Sequence, residues 1–281
     1  MRWSSGRRSE NVEDRRGIRA GPALGGGIGT LVLLLLALYF GVDPTPLLQQ
    51  MQTDSVAEQP GTAPDLQQDP LADFVAAVLA TTEDTWRAEF AKSGKQYIDP
   101  SLVLFSDSVA SACGYAEAAM GPFYCPSDQK VYIDLSFYRD LRERFNAPGD
   151  FAEAYVIAHE VGHHVQNLLG ISDQVRQQQQ HASAAEANRW SVRLELQADC
   201  FAGLWANRAD QMQQIIEAGD VDEALTAASA IGDDRLQRQA QGHVTPDSFT
   251  HGTSAQRVHW FNEGLRYGAI ERCDTFGAND I

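Results

Sequence analysis

The residues best suited to chemistry are two histidines four positions apart, His159 and His163, with Glu160 directly after the first. On an α-helix, residues four apart lie on the same face, so both imidazoles can offer a nitrogen atom to one metal ion. Glu160 lies one residue further round the helix, where it can reach a water molecule on that ion. The spacing H-E-x-x-H is typical of zinc sites that activate water.

A catalytic zinc site needs a third protein ligand and an open position for water. The candidate is Glu195, in the segment Glu195-Leu196-Gln197-Ala198-Asp199 of a second predicted helix. Asp199 lies one turn further on and is the expected partner of His159, because zinc-bound histidines usually donate their second N–H to a carboxylate or carbonyl. An acidic pair at this spacing is more often a solvated helix face, but the upstream motif favours the ligand interpretation.

Two long helices must position these residues. The first is predicted from 150 to 169, is nearly apolar and should be buried. Gly162 in its middle is costly in a helix and indicates close packing against a neighbour. The second helix is predicted from 184 to about 208. Further helices and short apolar strands give an α+β, mostly helical fold with a small sheet; they are predicted at 71–91, 137–145 and 254–267 (helices) and at 102–105 and 131–135 (strands).

The charge is unevenly distributed. Residues 1–22 carry a net charge of +3 and the whole chain carries −16, so the remaining residues carry −19. Such an acidic body would be repelled by the phosphates of DNA or RNA, and we expect no nucleic-acid partner.

Residues 23–42 form an apolar stretch of the length that a bilayer core requires, about 20 residues of helix. A cleavable signal peptide is the alternative, but no small-x-small cleavage site follows, which favours an uncleaved transmembrane anchor. The positive-inside rule then places the basic residues 1–22 in the cytoplasm and the rest outside. Residues 43–69 are predicted to be a flexible linker, followed by one folded domain at 70–281.

Four cysteines follow the predicted anchor, in what would be an oxidising compartment. We favour a Cys113–Cys125 disulfide, which would close one short loop containing glycine and proline. Cys200–Cys273 then remains as the second pair, although other connectivities are possible. No two cysteines have C-x2-C spacing, which argues against a second zinc site.

Together these motifs resemble those of the gluzincin zinc peptidases and, more narrowly, those of the bacterial neutral zinc metallopeptidase family of the YpfJ type. The resemblance covers nearly the whole chain. It rests on Asn11-Val12-Glu13-Asp14-Arg15-Arg16-Gly17, Gly121-Pro122-Phe123-Tyr124-Cys125-Pro126, His159-Glu160-Val161-Gly162-His163-His164-Val165-Gln166, Glu195-Leu196-Gln197-Ala198-Asp199-Cys200-Phe201-Ala202-Gly203 and His251-Gly252-Thr253-Ser254-Ala255-Gln256-Arg257. It implies a zincin-like domain that binds Zn²⁺ through His159, His163 and Glu195.

We therefore expect a zinc endopeptidase anchored in the bacterial inner membrane, with its catalytic domain on the periplasmic side. Glu160 would take a proton from the zinc-activated water and pass it to the leaving amine of a peptide or protein substrate. His251, in a segment similar to one in membrane gluzincins, is the candidate for stabilising the carbonyl oxygen. Tyr124 and His243 are alternatives.

Two further residues and one strand have predicted roles around this site. His164 points about 100° away from His163 on the helix and is predicted to be packed or hydrogen-bonded. Arg257 is predicted to pair with a buried carboxylate. In gluzincins an edge strand pairs with the extended substrate, and the predicted strand at 131–135 is the candidate for that role.

Two other functions remain open at this point. One is a membrane-tethered zinc scaffold or partner-binding protein without activity, which would gain nothing from Glu160 or an open metal position. The other is a cell-wall amidase, which an outside location permits and which the residues do not distinguish from a peptidase.

Overall fold

The structure is a computed structural model that describes residues 1–17 and 68–278. Within those residues it is mostly helical with small sheets, so the predicted α+β fold class is confirmed. The helices are α1 (Pro70–Lys92), α2 (Ser136–Glu143), α3 (Asp150–Leu168), α4 (Ile171–Gln179), α5 (Ala184–Gln213), α6 (Asp220–Ala230), α7 (Asp233–Gln241) and α8 (Ser254–Tyr267). The strands are β1 (Val12–Asp14), β2 (Ser101–Phe105), β3 (Ser108–Ser111), β4 (Gly114–Glu117), β5 (Phe123–Cys125) and β6 (Lys130–Asp134).

The main sheet has the order β1-β2-β6-β5. Strands β1, β2 and β6 are parallel, and β5 is antiparallel to β6 at the edge. Strand β2 is almost continuously apolar because parallel strands are usually covered on both faces, and residues 102–105 are buried. The predicted strand at 131–135 is confirmed as β6, but its proposed role is wrong. Both of its edges are paired within the sheet, and β5 lies at the edge.

Residues 1–17 belong to the same folded body as residues 68–278. Strand β1 pairs with β2 in parallel, and the Arg8 guanidinium binds both carboxylate oxygens of Asp73 on α1. Arg16 forms an ion pair with Asp69, directly before α1. A single membrane crossing between Arg16 and Asp69 would separate these partners. The prediction that residues 1–22 form a segment across the membrane from the catalytic domain is therefore wrong for residues 1–17.

The predicted anchor at 23–42 lies outside the described residues, as does nearly all of the predicted linker at 43–69. In the described ranges, 1–17 and 68–278, no helix combines the length and the apolar character needed to cross a bilayer. Helix α1 begins at Pro70, with Asp69 as its N-cap.

Helix α3 lies in the core, against α5. It is buried along nearly its whole length, from Phe151 to Gln166. A Cβ atom added to Gly162 would lie 3.1 Å from the Cα atom of Ala198 on α5. The absent side chain therefore allows the two helices to approach closely, as predicted, and this brings the metal-ligand candidates of α3 and α5 together.

Helices α5 and α8 are in backbone contact through two glycines. A Cβ atom on Gly203 would lie 2.0 Å from the carbonyl oxygen of Phe261, and one on Gly264 would lie 1.9 Å from the carbonyl oxygen of Cys200. Neither distance leaves room for a methyl group. The pair of glycines therefore sets the separation of α5 and α8, which together carry Glu195, Asp199 and Arg257.

Both predicted disulfides are present. Cys113–Cys125 ties the turn between β3 and β4 to the edge strand β5. Cys200–Cys273 ties the segment after α8 to α5. The first bridge thus holds an edge strand, and the second holds α5, the helix that carries Glu195.

We expect Gly203→Ala to lower the free energy of unfolding by about 1–3 kcal/mol, because the added methyl group would force α5 and α8 apart. Urea denaturation followed by circular dichroism measures the change. Met212→Ala is the matched control on the same helix: its side chain is 47% exposed, so the free energy of unfolding should change by no more than about 0.5 kcal/mol. Equal stability of the two variants would contradict the proposed close contact.

Candidate metal centre

Helices α3 and α5 bring the three predicted ligands together. The Nε2 atom of His159 lies 3.2 Å from Glu195 Oε2, and the Nε2 atom of His163 lies 3.5 Å from Glu195 Oε1. One ligand atom from each of the three residues lies within 4.8 Å of the others. Both imidazoles therefore point their Nε2 atoms at one carboxylate, as residues arranged around a common ion would.

The second nitrogen of each histidine has a partner. His159 Nδ1 lies 2.9 Å from Asp199 Oδ1, as predicted, and since a carboxylate only accepts, this nitrogen donates. His163 Nδ1 lies 2.9 Å from Gln166 Oε1. Sequence reasoning did not identify Gln166. Its spacing, three residues after His163 on the same helix, is the signal that could have found it.

Asp199 is the centre of a buried network. Arg257 donates from Nε to Asp199 Oδ2 at 2.8 Å and from Nη2 to Oδ1 at 2.9 Å. The hydroxyl of Tyr155 donates to Asp199 Oδ1. Burial alone would raise the pKa of Asp199, but Arg257 and His159 outweigh it and hold the pKa at about 2. The predicted pairing of Arg257 with a buried carboxylate is confirmed, and Asp199 stays charged beside His159.

The neighbouring carboxylates Asp199 and Glu195 also raise the pKa values of the two histidines. Burial opposes protonation of His159, but Asp199 outweighs it and raises the pKa to about 10. Burial likewise opposes protonation of His163, whose pKa is raised by Glu195. A metal ion that takes the two Nε2 atoms must displace these protons.

Glu160 has a different environment from Glu195. Only 8% of its surface is exposed, and burial is the largest cause of its raised pKa, opposed by His163 and His159. The pKa of Glu195 is lowered well below its usual value: burial would raise it, but the two histidines outweigh that effect. One carboxyl is thus suited to hold a cation and the other to exchange a proton.

His251 lies on the loop before α8, and Asp233, the first residue of α7, holds that loop. The backbone N–H groups of Thr250, His251 and Gly252 all donate to Asp233 Oδ2, at 2.7, 2.6 and 3.0 Å. His251 Nδ1 lies 3.3 Å from Asp233 Oδ1. This hydrogen bond is the largest cause of the raised pKa of His251.

The alternatives to His251 for stabilising the carbonyl oxygen, Tyr124 and His243, have different surroundings. The Tyr124 hydroxyl, on β5, is shared between His164 Nδ1 at 3.0 Å and Asn167 Nδ2 at 3.1 Å. His243 is exposed, and among the described residues it forms a hydrogen bond only with a nearby backbone carbonyl group.

His164 is fully buried, with its Nε2 atom 2.7 Å from the Ile98 carbonyl oxygen. The prediction that His164 is packed and hydrogen-bonded is confirmed.

A cleft of about 640 Å³ runs over this site. His159, Glu160, His163, Glu195 and His251 all line it. The edge strand β5 forms part of one wall, and two partly exposed aromatic rings, Phe137 and Phe145, lie further along with their centroids 6.2 Å apart.

The residues present fit a zinc ion. Two imidazole nitrogens and one carboxylate are a common donor set of catalytic zinc, and they leave a position open. The second nitrogens of both histidines are already engaged, which leaves the two Nε2 atoms for the ion. The donor set also suits other divalent ions.

Two histidines four residues apart on α3, with Glu160 beside the first and Glu195 on α5, face one cleft. This arrangement is typical of the H-E-x-x-H metalloprotease class. The sequence profile of the family described as "Putative neutral zinc metallopeptidase" matches residues 1–276. The chain belongs to this family.

Its relatives extend over similar lengths. The chain is 53% identical over 293 aligned positions to a protein of Escherichia coli K12 described as "Uncharacterized protein YpfJ", covering 99% of each chain. It is 40% identical over 261 positions to "Uncharacterized protein Rv2575" of Mycobacterium tuberculosis H37Rv, covering 87% of this chain and 86% of the relative. No solved structure matches the chain.

We expect Asp233→Asn to lower the pKa of His251 toward its ordinary value of 6.5, because the charged acceptor is lost. Histidine ring shifts followed by NMR against pH measure the change. In the parent, the raised pKa means that protonated His251 stabilises the fold fully below 6.5, and this stabilisation is lost as the pH rises through the raised pKa.

Asp247→Asn is the matched control for that experiment, since Asp247 is exposed and lies close to His251 along the chain. The His251 titration curve should stay unchanged in this variant. An identical curve in Asp233→Asn and in the parent would show that Asp233 does not hold the imidazole.

Proposed function

We propose that the protein is a zinc-dependent endopeptidase whose ligands are His159, His163 and Glu195. The observation that carries the proposal is the convergence of these three side chains beside the buried Glu160 on the surface of a cleft. A purely structural zinc site is usually closed by four protein ligands and has no use for an adjacent carboxyl group.

Zinc, when bound, would lower the pKa of a water molecule and polarise the scissile carbonyl. Glu160 would accept the proton from the attacking water and deliver it to the nitrogen of the leaving amine. His251 would donate a hydrogen bond to the carbonyl oxygen as negative charge develops there. Asp233 would keep the His251 ring oriented and protonated for this role.

The substrate would bind extended along β5. An edge strand leaves backbone N–H and C=O groups free to pair with a peptide, which gives affinity independent of sequence. The Phe137 and Phe145 rings in the same cleft favour an apolar substrate side chain. These features support peptide hydrolysis over hydrolysis of a cell-wall amide.

The two disulfides support a location in a compartment that oxidises thiols, which for a bacterial protein is outside the cytoplasmic membrane. Attachment to that membrane through residues 23–42 stays a prediction. With residues 1–17 packed on the catalytic domain, such attachment would have to leave both on the same side.

We expect Glu160→Gln to retain zinc but to reduce peptide hydrolysis about 10²–10⁴-fold, because proton transfer is lost while the ligands remain. His163→Ala should lose both zinc and activity. Zinc content is measured by elemental analysis, and hydrolysis is measured on an unbiased peptide library with a chelator-treated control.

His181→Ala serves as the control, because His181 is an exposed histidine outside the lining of the cleft. It should retain the zinc content and activity of the parent. Full activity of Glu160→Gln would refute the mechanism. Zinc binding without hydrolysis of any library peptide would favour a scaffold, and cleavage of cell-wall amides alone would favour an amidase.

A further inference from the structure

We propose that Gln166 is a positioning residue of the metal centre, which orients His163 and steadies the turn of α5 that carries Glu195. Gln197 would hold the Gln166 amide in place and connect it to the segment after α8. The proposal rests on the proposed ligand set, but its test measures metal binding and not hydrolysis.

The Gln166 amide can adopt only one orientation. Its Nε2 group donates to the Leu194 carbonyl oxygen at 2.6 Å and lies 3.2 Å from Gln197 Oε1. A flipped amide would place its oxygen against these two acceptors. Gln166 Oε1 therefore faces His163 Nδ1, 2.9 Å away, and accepts a hydrogen bond from it.

This orientation makes Nδ1 of His163 the nitrogen that donates to Gln166. Nε2 is then the nitrogen that faces Glu195, 3.5 Å away, and the one that would be left to a metal ion once its proton is displaced. Gln166 is fully buried, so water cannot replace the amide at His163 without a rearrangement of α3 and α5. Loss of the amide would leave the partly buried Nδ1–H group of His163 without its acceptor, which is costly.

The Gln166 amide contacts both helices that carry the proposed ligands. Leu194 directly precedes Glu195, so the bond from Gln166 Nε2 ends one residue from the third ligand. Gln166 thus links the ring of a ligand on α3 to the backbone beside a ligand on α5. Its effect would be to limit both the rotation of His163 and the separation of the two ligands.

Gln197 extends this connection away from the proposed ligands. Only 5% of its surface is exposed, and its Nε2 group donates to the Cys273 carbonyl oxygen at 2.9 Å. That bond orients its Oε1 atom toward Gln166. Cys273 is joined to Cys200 on α5 by a disulfide. The segment after α8 is therefore connected to His163 through two buried amides.

The two histidines have partners of different charge. His159 is held by the Asp199 carboxylate, whereas His163 is held by a neutral amide. Outer partners of metal ligands typically change metal affinity 10–100-fold when removed. The neutral amide would orient its ring without adding negative charge beside Glu160 and Glu195.

The experiment compares the parent with Gln166→Met, which has a similar shape but lacks the hydrogen-bonding amide. Asn207→Leu is the matched control: Asn207 also ties α5 to a neighbouring helix, through Nδ2 to the Leu265 carbonyl oxygen at 2.8 Å. Zinc affinity is measured by competition with a chromophoric chelator. The visible spectrum of the cobalt-substituted proteins reports ligand geometry, and melting of the metal-free proteins reports stability.

We expect Gln166→Met to bind zinc about 10–100-fold more weakly than the parent and to show an altered cobalt spectrum. Asn207→Leu should melt at a lower temperature but keep the zinc affinity and the cobalt spectrum of the parent. The proposal is overturned if Gln166→Met keeps both, because Gln166 would then serve only to pack the helices. In that outcome, loss of zinc in His163→Ala would still leave the proposed ligand set standing.

Gln197→Met provides a second test that does not depend on the folding of Gln166→Met, since Gln197 contacts none of the three proposed ligands by hydrogen bonding. Its zinc affinity should fall in the same direction but by a smaller factor, because the bond from Gln166 to Leu194 remains. An affinity equal to that of the parent would overturn the role assigned to Gln197.

Discussion

The structure depends above all on the buried ion pair between Asp199 and Arg257. It joins α5 to α8, and through His159 and Tyr155 it reaches α3. A charge this deeply buried is tolerated only when it is paired and hydrogen-bonded, and loss of one partner typically costs about 3–5 kcal/mol. The pair therefore fixes the relative position of three helices and, with them, one metal-ligand candidate.

The parts of this site that sequence could predict are those governed by helical periodicity. His159 and His163 are four residues apart, as are Glu195 and Asp199, so local geometry alone puts each pair on one face. The role of Gln166 was missed because glutamine is ordinary in a helix and its partners Leu194 and Gln197 come from another element. The close contact at Gly203 could not be predicted either, because its partner Phe261 lies on a different helix.

The sheet shows where sequence reasoning fails. The strands at 102–105 and 131–135 were predictable from their apolar character, but their neighbours were not. Strand β6 is interior because β5 and β2 pair with it. The pairing with β5 is a local hairpin, whereas the pairing with β2 joins residues that are distant in sequence. Basic residues near an apolar stretch suggested a cytoplasmic segment, but Arg8 and Arg16 have acidic partners on or next to α1.

The parallel pairing of β1 with β2 has a consequence for the order of folding. Val12 lies beside Leu102, so the sheet gains its first strand only by closing a loop of roughly 90 residues, a slow and entropically costly event. During synthesis the ribosome adds about 5–20 residues per second. The N-terminal strand would then wait several seconds, unpaired, for its partner to emerge, a period in which a chaperone or a wrong strand could bind it.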